Sequence, residues 1–122
     1  MTLAYWCVFI AALLPYLSTV IAKVGGRGYT NCAPRDFLEK QVGWRKRAHW
    51  SQLNGFEAFP AFAAAVIIAH LRFADQTLID NLAVTFVSVR ILYVIFYIAD
   101  KAALRSLVWF IGFLCMVTLF LI

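Results

Sequence analysis

Asn54, Glu57 and Arg90 stand inside long apolar runs, where an amide or a charge costs free energy unless something specific receives it. At 100° per residue, Arg47, Asn54 and Glu57 share an arc of about 80° on one helix, and Arg90, Tyr93 and Tyr97 share about 60° on another. Two polar stripes can therefore face each other within an apolar bundle. Glu57 and Arg90 alone suffice for a buried ion pair, which would be purely structural. The full set offers more: carboxylate, amide, guanidinium and two phenols, an inventory suited to a polar zwitterionic ligand.

The elements that must position these residues are membrane spans. The chain has 122 residues, enough for one domain, and is 64% hydrophobic with a mean hydropathy of +0.83, far above the soluble range. Leu3 to Ala22 is free of formal charge and long enough at 1.5 Å per residue to match a hydrocarbon core of roughly 30 Å. No basic residue precedes it, so it reads as a retained span and not a cleaved signal. Further apolar stretches run from about Trp50 to Leu71, from about Gln76 to Ala99 and from Leu107 to Ile122. The last is short, so its helix is expected to start near 102–104. Short links at 72–75 and around Asp100 and Lys101 make the expected architecture an all-α, up-and-down four-helix transmembrane bundle, one integral membrane domain over 1–122. Pro60 is expected to bend the second span beside the polar stripe.

Charge sets the expected orientation. Seven of the 11 Lys and Arg lie between Lys23 and Arg47, against one in the 72–75 turn, which places the first loop (about 23–49) in the cytoplasm and both termini on the opposite side. The net charge of +5 then reads as orientation and contact with anionic membrane lipid, not nucleic-acid binding. Cys7, Cys32 and Cys115 show no metal-ligand or disulfide spacing, so no metal is expected. Gly25, Gly26 and Gly28 follow no strand and read as a hinge in a flexible first loop. His49 and His70, near the two ends of the second span, read as interfacial anchors together with the Trp residues.

The run Arg47-Ala48-His49, then Gln52-Leu53-Asn54-Gly55-Phe56-Glu57-Ala58-Phe59-Pro60, resembles the second-helix signature of the MAPEG family, the membrane-associated proteins in eicosanoid and glutathione metabolism. Arg90-x-x-Tyr93-x-x-x-Tyr97 is similar to the family's third-helix pattern, Arg105-Ser106 to the pair opening its fourth helix, and Asn31-x-x-Pro34-Arg35 to the loop of bacterial members. The resemblance covers essentially the whole chain. It implies a homotrimer in a bacterial inner membrane, with glutathione as co-substrate bound between adjacent subunits near the cytoplasmic side. A lipophilic small-molecule substrate would arrive from the lipid. By resemblance, Glu57 holds the glutathione ammonium, Asn54 and Gln52 its peptide, and Arg90, Tyr93 and Tyr97 add contacts.

The implied reaction is attack of a glutathione thiolate on a lipophilic electrophile or hydroperoxide, with Arg105 and Ser106 stabilising the thiolate. One position departs from the pattern: Trp50 stands where glutathione-binding members usually carry an arginine, which leaves Arg47 or Lys46 as the candidate carboxylate clamp. Ala58, where some members have tyrosine, weakens the likeness to the eicosanoid-forming branch. Two other functions stay open. A non-catalytic protein of the same fold would bind lipid or a partner helix and leave glutathione unbound. A small multidrug exporter would need a glutamate in the first span, and that span has none.

Overall fold

The computed structural model describes residues 1–122 as five helices and no strand: α1 (Leu3–Lys23), α2 (Pro34–Glu39), α3 (Gly43–Leu71), α4 (Gln76–Ile98) and α5 (Ala102–Leu121). All but α2 are long and apolar enough to cross a membrane, so the chain is an integral multi-pass membrane protein built as the expected four-helix bundle. Along α1 the buried positions are Ala4, Cys7, Ala11, Pro15, Ser18 and Ala22, small or compact residues three or four apart. Spacing of this kind lets backbones approach closely where lipid supplies no hydrophobic drive between helices. The partner is α3, and the closest point is Gly55, where an added Cβ would sit 2.8 Å from Pro15 Cγ. The main core closes where α1, α3, α4 and α5 meet, around Phe62 stacked on Phe86 at 3.9 Å, with Val66, Ile79 and Leu119 fully buried. Large apolar residues such as Phe9, Leu13, Ile95 and Phe110 point outward, as lipid requires.

The spans reverse within a few residues because the chain closes each helix end on itself. At the α3–α4 turn Phe73 takes φ +58° and the Ala74 N–H donates to the Ala69 carbonyl at 3.2 Å. At the α4–α5 turn Asp100 takes φ +59° and the Lys101 N–H donates to the Phe96 carbonyl at 2.8 Å. Both are left-handed closures that satisfy carbonyls the helix leaves open.

The first connector is more ordered than its composition suggests. It contains α2, opened by Pro34 and packed through Phe37 and Leu38 against Ala22 and Ala48. The helix that carries Asn54 starts at Gly43 and not near Trp50. Gly43 has φ +61°, which suits glycine, and follows the extended Val42. Apolarity marks where lipid begins, whereas Arg45, Lys46 and Arg47 continue the helix into the polar zone. α3 therefore has 29 residues, about 44 Å of helix against a hydrocarbon core of roughly 30 Å. It continues unbroken through Pro60.

The end of the bundle bearing the termini holds a polar network. Thr2 caps α1 by accepting the Tyr5 N–H at 3.3 Å, and lies 3.1 Å from His70 Nε2. His70 Nδ1 is 2.7 Å from the Val66 carbonyl, which can only accept, so in the neutral ring Nε2 accepts the Thr2 hydroxyl proton. Tyr5 stacks on His70 at 4.3 Å. Asp80 accepts the Ala4 N–H at 2.8 Å and the Gln76 amide at 2.9 Å, and Arg72 donates to the Phe120 and Leu121 carbonyls at 3.2 and 3.3 Å. Asp80 thus caps the start of α1, and Arg72 the end of α5.

Candidate functional site

One turn separates Trp50 from Asn54, and less than one more reaches Glu57, so α3 presents the three side chains on one face. Opposite them, Tyr93 and Tyr97 on α4 complete an open recess of about 400 Å³, with Leu53 as its side wall. The Asn54 amide donates to Glu57 Oε2 at 3.3 Å. Nothing else in the chain contacts that carboxylate as donor, and Asn54 Oδ1 is buried without any partner. Glu57 itself is exposed on the surface of the single chain. The chain's one ion pair is Lys40–Asp36 at 2.7 Å, so Glu57 and Arg90 do not pair.

Arg90 is only 5% exposed and makes no hydrogen bond. Its guanidinium lies over the Tyr93 ring at 4.3 Å. It lines a second, mostly apolar recess of about 260 Å³ between α3, α4 and α5, with Phe86, Trp109, Gly112, Phe113 and Met116. Asn54 and Glu57 border both spaces and form the ridge between them. The α5 residues of this recess fall at Trp109, Gly112, Phe113 and Met116, the helical spacing that continues from Arg105. Sequence reasoning passed over them, although this periodicity was visible.

Arg105 lies over the Tyr97 ring at 4.4 Å and its side chain makes no hydrogen bond, so its donors stay free. Tyr97 in turn meets Tyr93 edge-on at 5.5 Å, so two rings in contact are flanked by a cation on each side, Arg90 over Tyr93 and Arg105 over Tyr97. Ser106 is exposed and lines none of the recesses.

Two candidate binding residues lie elsewhere. Arg47 donates through Nε and Nη2 to the Ile98 carbonyl at 3.1 and 3.0 Å, at the end of α4, and lines no recess. Its neighbours do the same: Arg45 donates to the Val24 carbonyl at the end of α1 at 2.6 Å, and Lys46 to the Glu39 carbonyl at the end of α2. Consecutive cations thus cap three different helices, a favourable match of positive charge to helix C-termini. The basic run is structural as well as orienting. Gln52 bonds to His49 Nδ1 at 3.1 Å and opens onto a separate polar recess of about 410 Å³ with Arg35, Glu39 and Phe56. Two residues apart on a helix, Gln52 and Asn54 point in different directions. Outside the spans, Asp36 raises the Lys40 ammonium above the ordinary lysine value, first by a hydrogen bond and then by charge.

Among known proteins, no curated sequence and no solved structure matches this chain. A sequence model of the MAPEG family matches residues 3–122, essentially its whole length. A match of that extent, on a bundle of four spanning helices, establishes that the protein belongs to the MAPEG family.

Proposed function

We propose that the protein is a membrane-embedded, glutathione-dependent transferase for lipophilic electrophiles, hydroperoxides included. The observation that carries this reading is a pair of acceptors short of donors within a membrane span: exposed Glu57, which receives one amide at 3.3 Å, and the buried Asn54 Oδ1, which receives none. The chain offers them no further donors, and a ligand that carries both an ammonium and a peptide N–H can supply them. The residues fit glutathione at that end. When bound, glutathione supplies a thiolate that displaces a leaving group, with its bonding pair, from an electrophilic carbon; with a hydroperoxide it takes the outer oxygen and releases an alkoxide that is protonated to the alcohol, and a second glutathione converts the resulting sulfenic acid to disulfide and water.

The chain's residues then divide the work. Glu57 and Asn54 hold the amine end, and the Tyr93 and Tyr97 phenols add donors along the recess. Arg105, with free donors above Tyr97, favours the thiolate of a thiol whose pKa starts near about 8.5; each unit it lowers corresponds to about 1.4 kcal/mol. Ser106, the fifth residue of α5, is a candidate for a hydrogen bond to the same sulfur. The apolar recess behind the Asn54–Glu57 ridge suits the lipophilic partner, and its Trp109 follows Arg105 by one turn, which brings the two reactants to a common boundary.

Gln52 favours assembly from several copies. It faces a different recess from Asn54, so one ligand touching both is most simply held between two chains, in keeping with a homotrimer. The basic end of the bundle lies in the cytoplasm on this reading, where the thiol is available. Arg47 serves as a cap to α4, and its part in binding is indirect.

Calorimetric titration of glutathione into the detergent-solubilised protein tests the assignment, with Glu57→Gln as control. Binding weakened by at least about tenfold in that variant supports it. Absence of binding up to tens of millimolar overturns it, and a detergent-corrected monomeric mass at high concentration overturns the shared site.

A further inference from the structure

Every arginine in the chain but one has an oxygen to hold or a surface to reach. Arg45, Arg47 and Arg72 donate to carbonyls at helix ends, Arg27 and Arg35 are exposed, and Arg105 is half-buried. Arg90 has neither. It is 5% exposed, stands about 12 Å along α4 from Ile98, and meets no oxygen of the chain in a hydrogen bond or ion pair. The Tyr93 ring at 4.3 Å attracts the charge through its face but accepts nothing from the N–H groups in the guanidinium plane. A cation so placed within a span costs free energy until an acceptor reaches it.

The space beside Arg90 suits an amphiphile. The recess of about 260 Å³ is walled by Phe86, Trp109, Phe113 and Met116, and Trp109 and Phe113 are 43% and 42% exposed, so that wall opens on the outer surface of the spans. Its two formal charges, Arg90 and Glu57, do not pair. Glu57 is exposed and takes the Asn54 amide, whereas Arg90 is buried with its donors free. An apolar body thus has its place at the aromatic wall and an anionic oxygen at Arg90. A carboxylate matches that end best, because two parallel N–H groups of a guanidinium meet its two oxygens in one plane.

We propose that this recess is a binding site for a lipophilic monocarboxylate, its head on Arg90 and its apolar body against Trp109 and Phe113. The carboxylate belongs either to a free fatty acid of the bilayer or to the lipophilic reactant itself; the second source rests on the glutathione-dependent reading.

The test uses the solubilised full-length protein without thiol, at about pH 8, where a carboxylic acid is ionised. Quenching of tryptophan fluorescence by para-bromophenylbutanoate is compared with quenching by the matching alcohol. The acid should saturate at a concentration at least about tenfold below the alcohol, and Arg90→Gln should bring the two within about threefold. Trp109→Phe should remove the saturable part of the signal. Equal quenching by acid and alcohol, an acid preference that survives Arg90→Gln, or a saturable signal that survives Trp109→Phe overturns the proposal. If Arg90→Gln folds poorly, the acid and alcohol on the unaltered chain, with Trp109→Phe, decide the matter. Mass spectrometry of a solvent extract separates the sources: a fatty acid that copurifies with the unaltered chain and is absent from Arg90→Gln is the bilayer's, and an extract free of one, with acid binding intact, gives the carboxylate to the reactant. Glutathione binding is measured apart, so its failure overturns the reading above and leaves this site standing.

Discussion

Asp80 and Glu57 are both carboxylates on spanning helices, yet the chain treats them differently. Asp80 receives the Ala4 N–H and the Gln76 amide, at 2.8 and 2.9 Å, and so fastens α1 to α4. Glu57 receives a single amide at 3.3 Å, from a residue whose own carbonyl oxygen goes unmet. The termini end of the bundle spends its polar groups on helix ends, through Thr2, His70, Asp80 and Arg72. Around the Asn54–Glu57 ridge the same types of group are left short of donors, Glu57 at the surface and Asn54 Oδ1 buried. A polar residue in a span is structural where the chain supplies its partners and directed at a ligand where it does not.

That contrast can be broken by substitution. Glu57→Gln should weaken glutathione by about tenfold to a hundredfold, about 1.5 to 3 kcal/mol, with the melting temperature in detergent unchanged. Asp80→Ala should do the reverse, lowering stability by about 1 to 3 kcal/mol in thermal unfolding while ligand affinity holds. If the two exchange behaviours, the division between structural and ligand-directed carboxylates is wrong. Arg105→Ala sharpens the picture within the site: turnover should fall by about tenfold, the thiol pKa of bound glutathione should rise by about one unit, roughly 1.4 kcal/mol, and affinity should barely move. Spectrophotometric thiolate titration separates those readouts.

The smallest effect belongs to the chain's one ion pair. Lys40 is raised above its ordinary value by Asp36, so the pair's contribution is complete below the unfolded lysine pKa and is lost only as pH rises through the folded one. Neutral pH lies on the plateau. Because the pair is fully exposed and screened, Asp36→Asn should leave the melting temperature unchanged across about pH 6 to 8.

The spans were legible in the sequence because lipid demands continuous apolarity, and Asn54, Glu57, Tyr93 and Tyr97 were legible because polar residues within those spans are few. Convergence of the last four follows from helical periodicity alone. The contact of Arg47 was not legible for the opposite reason: its angle on α3 matches that of Asn54, but its partner is the Ile98 carbonyl, 51 positions away, which no local period reveals. Gln52 fails the same angular test that groups the others, so its separate recess could have been anticipated. The start of α3 at Gly43 was hidden because hydropathy reports where lipid ends and not where a helix does.

The length of α3 carries a kinetic consequence. A helix of 29 residues outruns the hydrocarbon core; the end carrying Arg45, Lys46 and Arg47 is the one suited to the headgroup layer, and the ridge at Asn54 and Glu57 follows Arg47 by two to three turns. For the proposed reaction, one reactant is then counted per litre and the other per lipid molecule. Inert lipid added at constant total electrophile should slow turnover by surface dilution, while the half-saturating concentration of the thiol stays where it was.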